Sequence, residues 1–169
     1  VNSICNTCVY FSKSYLFLGV NMFKNIIVAS DLSPKATFSA RKSVQIAHQF
    51  NSNITVLNVH EEFMDKDGME MLRVSVDDMQ DKFRQIAIEA KNEIKSMFSK
   101  LHTDNIKIEV ILRQGTPSKE ILILAKEINA DLIVMGTNGK DNLTDFFLGT
   151  TSENVISKSR CPVLVVPIS

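Results

Sequence analysis

From Met22 onward, short β-branched apolar runs alternate with longer stretches whose apolar residues recur every three or four positions. The runs are Phe23-Lys-Asn-Ile-Ile-Val-Ala-Ser30, Ile54-Thr-Val-Leu-Asn-Val59, Ile106-Lys-Ile-Glu-Val-Ile-Leu112, Asp131-Leu-Ile-Val-Met135 and Pro162-Val-Leu-Val-Val166. Between them the period shifts to that of a helix. Ala36, Ala40, Val44 and Ala47 share one face of the first such stretch, with Ser33 as N-cap and Pro34 at the first helical position. The longest stripe runs from Met79 through Phe83, Ile86, Ala87, Ala90, Ile94, Met97 and Phe98 to Leu101, while Asp81, Arg84, Glu89, Lys91 and Lys95 take the water side. A third helix opens at Gly115-Thr116-Pro117 and runs to about Asn129, and a fourth is expected from about Thr150 to Ser159. Parallel strands cannot be joined by a tight turn, so five strands with a helical crossover between each pair specify an α/β fold. It is a three-layer sandwich around a five-stranded, mainly parallel sheet. The first, fourth and fifth runs are uninterrupted, as strands buried on both faces must be.

A chain of 169 residues fits one such domain. Lys plus Arg equal Asp plus Glu at 19 each, so there is no net field to gather nucleic acid or anionic lipid. Three cysteines, Cys5, Cys8 and Cys161, give no disulfide framework and point to a reducing compartment, here the cytoplasm. Cys5 and Cys8 have the C-x-x-C form, but no second pair or nearby histidine completes a zinc site. Residues 1–21 stand apart. Their apolar stretch from Val9 to Val20 is broken by Ser12, Lys13 and Ser14, too short to span a membrane and without the basic start of a signal peptide. They are expected to be an N-terminal extension, either a disordered tail or the product of start-site choice, with the domain proper at 22–169. The polar stretch after His60, to about Arg73, is expected to be a surface loop or a poorly ordered helix start.

In open parallel sheets ligands bind beyond the carboxyl ends of the strands, where strand order reverses. That rule selects Ser30 to Ser33, Val59 to Glu61, Leu112 to Gly115, and Gly136 onward. The last segment reads Gly136-Thr-Asn-Gly139, nine residues from Lys140 to Leu148, then Gly149-Thr150 at a helix start. Amides exposed by glycine, together with the unpaired N–H groups of a helix N-terminus, make an anion site suited to phosphate. Thr150, Thr151 and Ser152 add hydroxyl donors, and Lys140 is placed to lie over a terminal phosphate. No G-x-x-x-x-G-K-[ST] and no G-x-G-x-x-G after the first strand is present, so the loop is neither a P-loop nor a dinucleotide fingerprint.

Gly136-Thr-Asn-Gly139-Lys140, Asn142-Leu143, Leu148-Gly149-Thr150, Glu153-Asn-Val-Ile156 and Cys161-Pro-Val-Leu-Val-Val166 together resemble the C-terminal signature of the universal stress protein family. The G-x2-G-x9-G-[ST] pattern of its ATP-binding branch is matched at every fixed position, and Ile26-Ile-Val-Ala-Ser-Asp31-Leu-Ser33 is similar to the family's first strand. The likeness covers Met22 to Ile168. It implies an adenine nucleotide alpha-hydrolase-like (Rossmann-like) fold with ATP as ligand, and Mg2+ or Mn2+ held through the phosphates. Asp31 would accept a hydrogen bond from ribose or adenine, and Ala29 and Val59 would line the adenine pocket, with Met135 in the same set. Gly136 would meet the ribose or first phosphate, and Gly139, Gly149, Thr150 and Thr151 the phosphate chain. Ala29-Ser30 departs from the family's frequent Pro or Val before Thr/Val-Asp. The resemblance also implies a homodimer paired through the last strand, Val163 to Val166.

Catalysis has thinner support. Hydrolysis needs a base or water-orienting group and a metal at the terminal phosphate. His60 alone of the three histidines lies near the expected mouth, and no pair of carboxylates converges there by sequence. The expected function is a nucleotide-dependent stress-response or signalling module with slow or no hydrolysis. The alternative is an ATP-using enzyme, an ATPase or nucleotidyl or phosphoryl transferase, of the same architecture.

Overall fold

The computed structural model describes residues 8–10, 22–60, 76–137 and 148–167. The elements are β1 (Cys8–Tyr10), β2 (Asn25–Ala29), α1 (Ala36–Phe50), β3 (Asn53–His60), α2 (Val76–Ser99), β4 (Ile108–Gln114), α3 (Pro117–Glu127), β5 (Leu132–Gly136), α4 (Thr150–Lys158) and β6 (Val163–Val166). They build one sheet in the order β1-β6-β5-β2-β3-β4. The five expected strands, β2 to β6, are all parallel. From β2 the chain winds outward through β3 to β4, then returns to β5 on the other side of β2, so strand order reverses between β2 and β5.

Alternation along the strands divides the core in two. Ile26, Val28, Ile54, Val56, Leu132, Val134, Leu164 and Val166 pack with Ala40, Val44 and Ala47 of α1 and Ile94 and Phe98 of α2. Ile27, Leu57, Ile133, Met135, Val163 and Val165 pack with Ile121 and Leu124 of α3 and Val155 of α4. Among the described residues, helices therefore cover both faces, two on each. The first helix stripe is read correctly from its period, but Ser39 and Ser43 are buried beside it. Their hydroxyls donate back to the carbonyls of Ala36 and Ala40 at 2.9 and 2.7 Å, which removes the cost of burying them.

Two local expectations are corrected. Ser33 does not cap α1: its hydroxyl and amide both donate to Asp31 Oδ1, at 2.8 and 3.1 Å, and the first turn closes instead by tight bonds from Ala36, Thr37 and Phe38 to the carbonyls of Ser33, Pro34 and Lys35. Asp131 does not begin β5 as a strand residue; its carboxylate accepts the amides of Lys24 at 2.8 Å and Asn25 at 3.1 Å, pinning the start of β2.

The last strand does not end the sheet. Cys8, Val9 and Tyr10 pair antiparallel with Val165, Leu164 and Val163, so β1 lies on the outer side of β6. The stretch from 61 to 75 lies outside the described residues.

Candidate functional site

At the carboxyl ends of β2, β3 and β5, where the order reverses, the structure holds a cavity of about 660 Å³. Its walls come from Ala29 to Ser33 at and beyond the end of β2, Leu57 to His60 at the end of β3, Met135 to Thr137 at the end of β5, and Gly149 to Ser152 at the start of α4. Of the residues selected from sequence, Ala29, Asp31, Val59, Met135, Gly136, Gly149, Thr150 and Thr151 all line this one space. Gly139 and Lys140 lie outside the described residues.

The β2 side is a locked bend. Ser30 donates its amide to the Leu57 carbonyl at 2.9 Å, accepts the Leu32 amide on Oγ at 3.3 Å, and receives the Asn58 side-chain amide on its carbonyl at 2.9 Å. Leu32 is held at φ 63, the left-handed region that a residue with a branched side chain rarely adopts. This bend carries Asp31 into the cavity wall with an asymmetric carboxylate. Oδ1 takes both bonds from Ser33. Oδ2 is buried and has no hydrogen-bond partner among the described residues. A buried acceptor left open in this way is costly unless a ligand supplies the donor.

The β5 side is a frame built from main chain. The Thr137 amide donates to Val166 O at 3.2 Å, and the Gly149 amide donates to Thr137 O at 2.9 Å. Ser152 Oγ donates to Gly136 O at 3.1 Å. Two expectations change here: the Gly149 amide is spent inside the protein, and the Ser152 hydroxyl is a clip on the strand end, buried at 3% exposure. The first bond of α4 runs from Glu153 N–H to Gly149 O, which leaves the amides of Thr150, Thr151 and Ser152 at the positive end of the helix. A Cβ built on Gly136 meets no atom within 4 Å. Glycine is not needed there for the backbone; it keeps space open at the cavity wall.

Asn58, Ser39 and the α2 carboxylates Glu89 and Glu93 also line the cavity and were not anticipated. Asn58 carried a signal, being an amide set between the apolar Leu57 and Val59 of β3; the α2 pair carried none, because their placement depends on how α2 crosses the sheet. His60 lines the wall with its ring 6.5 Å from that of Phe83. His48 is remote, its Nε2 2.7 Å from the carbonyl of His102, and so acts as an N–H donor between chain segments. Among the described residues no group of three or more His, Cys, Asp or Glu side chains could hold a metal ion. No helix among them is long and apolar enough to cross a membrane.

A doubly wound sheet with a cavity at the switch point, an open carboxylate on one side and a helix N-terminus on the other, is an α/β domain of Rossmann-like type. Residues 22–167 match the universal stress protein family, and the chain belongs to that family. It is similar to universal stress protein MJ0531 of Methanocaldococcus jannaschii, 31% identical over 158 residues that cover 93% of this chain and 89% of the relative. The solved structure of MJ0577, a universal stress protein from the same organism, is 28% identical, covers 88% of this chain and 98% of its own, and superposes with a TM-score of 0.68. A universal stress protein solved in complex with cAMP shares the fold at 23% identity and a TM-score of 0.59, covering 87% of this chain and 99% of its own.

Proposed function

We propose that this cavity binds ATP and that the protein is a cytoplasmic, nucleotide-dependent stress-response or signalling module with slow or no hydrolysis. The observation that carries this reading is the pairing of opposite hydrogen-bonding demands across one space. Asp31 Oδ2, acceptor only when ionised, needs a ligand donor such as a ribose hydroxyl or an adenine amine. The amides at the start of α4, without a main-chain acceptor among the described residues, suit an anionic acceptor such as a phosphate. Ala29, Val59 and Met135 give the walls an apolar part suited to a flat base. A molecule with donors at one end, anionic oxygens at the other and an aromatic ring is a nucleotide. Membership of the family favours adenine, and its ATP-binding signature, complete from Gly136 to Thr150, favours the triphosphate.

In this reading Asp31, Ala29, Val59 and Met135 hold the nucleoside, Gly136 the ribose or first phosphate, and Gly139, Thr150 and Thr151 the phosphate chain, with Gly149, its amide spent on Thr137, leaving room for that chain at the start of α4. Mg2+ or Mn2+ would be carried by the phosphates. Self-association through Val163 to Val166 belongs to the same reading, as the homodimer expected for the family.

Native mass spectrometry of freshly purified protein, followed by incubation with labelled ATP, tests it. The expected result is about one adenine nucleotide per subunit, displaced by added ATP, with no appreciable release of phosphate over hours. Protein that retains no nucleotide and ignores a Gly149→Val change sinks the proposal. Rapid stoichiometric phosphate release or nucleotidyl transfer favours the ATP-using enzyme instead.

A further inference from the structure

We propose that β1 is an intramolecular guard on the outer edge of β6, and that a second copy of this chain can take that edge only when β1 leaves it. The proposal deepens the homodimer reading by naming what regulates it. The two edges of the sheet are built differently. On β4, the far edge, Glu109 and Arg113 interrupt the apolar residues, and charges on an edge discourage pairing with another chain. On β6 the residues are Val163, Leu164, Val165 and Val166, all buried and without a charge. Such an edge is a template for another strand unless something covers it.

The cover is short. Among the described residues, β1 pairs with Val163, Leu164 and Val165 and runs antiparallel to them. Each main-chain bond contributes a net gain of the same order as the entropy lost in ordering a residue, so three paired residues hold the edge weakly. A second β6, presented antiparallel about a two-fold axis, offers the same backbone groups with a self-complementary apolar sequence. The two occupants need the same N–H and C=O groups, so they exclude each other. The inner side of β6 is separate: Val166 O accepts the Thr137 amide that frames the ligand cavity, and the described pairs of β1 are with Val163, Leu164 and Val165.

Two variants of the full chain test this by sedimentation velocity over a concentration series. Val9→Pro, in the middle of β1, removes an amide and disfavours the strand; dimerisation should strengthen by at least ~10-fold over wild type. Val165→Cys places a thiol on the register partner of Cys8. On oxidation a Cys8 bond within one chain should lock the guard, giving a monomer that regains wild-type association when reduced. The proposal is overturned if Val9→Pro associates no more tightly than wild type. It is also overturned if the oxidised thiol joins two chains, or if a dimer persists with the bond closed within one chain. Nucleotide retention, measured on the same samples, should agree across them within ~2-fold. Its loss in every sample, wild type included, would count against ATP binding and leave the result for the edge standing.

Discussion

Asp131 and Asp31 stand at opposite ends of the same sheet, and their surroundings differ in one respect. At the amino end, Asp131 spends both oxygens on the amides of Lys24 and Asn25, while its own amide donates to Asn25 O at 3.1 Å. At the carboxyl end, Asp31 spends one oxygen on Ser33 and leaves the other buried beside a cavity, without a partner among the described residues. The first is a closed structural clip between strands. The second is a site held open by its neighbours, with Asn58 and Ser30 fixing a left-handed Leu32 to do so. Local strain and an unmet acceptor at one place are the marks of a binding end; complete hydrogen bonding marks the structural end.

The largest effect should come from filling the open end. Gly136→Val puts a side chain into space where, among the described residues beyond its chain neighbours, no atom lies within 4 Å of the new Cβ, so folding is spared while the ligand is blocked. Isothermal titration should show nucleotide affinity reduced by ~100-fold or more, about 2.7 kcal/mol, with little change in melting temperature. Unchanged affinity would break the comparison at its centre.

Next comes the closed end. Asp131→Ala strands two amides and should lower stability by about 1–3 kcal/mol, seen as a fall of roughly 2–4 °C in Tm per kcal/mol, with nucleotide affinity unaltered. Asp31→Asn should behave the opposite way. With the amide oxygen kept by Ser33, its NH2 group faces a ligand donor, and affinity should weaken by about tenfold, or 1.4 kcal/mol, while Tm moves little. A calorimetric titration and a thermal melt of both variants would cross the two effects; if both aspartates altered only stability, Asp31 would be another clip.

The smallest effect concerns pH. Burial raises the pKa of the Cys161 thiol, opposed in part by its hydrogen bond with Ser159. The folded state then holds the proton at pH values where the unfolded thiol has lost it. This contribution to stability is intact at neutral pH and declines as pH climbs above the ordinary thiol value of ~8.5 toward the raised one. Denaturant titrations of Cys161→Ala should show a flatter alkaline limb than wild type.

Much of the fold was legible because burial imposes a period on the sequence. The uninterrupted runs at Ile26 to Ala29, Leu132 to Met135 and Val163 to Val166 became strands buried between helices, and Ala36, Ala40, Val44 and Ala47 became the inner face of α1. Boundaries were less legible. Ser33 has the residue type of a cap, yet Asp31 two positions earlier competes for its hydroxyl and wins. The strand expected at Ile106 to Leu112 is displaced to Ile108–Gln114, because its pairing follows the register of β3, where Ile54 faces Ile108 and His60 faces Gln114. Of the wall residues, Ser30 to Ser33, Val59, Gly136 and Gly149 to Thr151 were readable from strand ends and glycines, whereas Ala29 and Met135 came with the family resemblance. Which amides and hydroxyls are spent, as at Gly149 and Ser152, was not.

Hydrophobic period and residue type are local properties, so the sequence by itself determined the α/β alternation, the strand ends at which a ligand could sit and the family to which the chain is similar. Hydrogen-bond partners are chosen among all groups that the fold brings within about 3 Å, across any distance in sequence. Tertiary structure alone therefore decided that Asp131 is satisfied and Asp31 is not, that Asn58 holds Ser30, and that residues 8–10 close the edge of a strand more than 150 positions away.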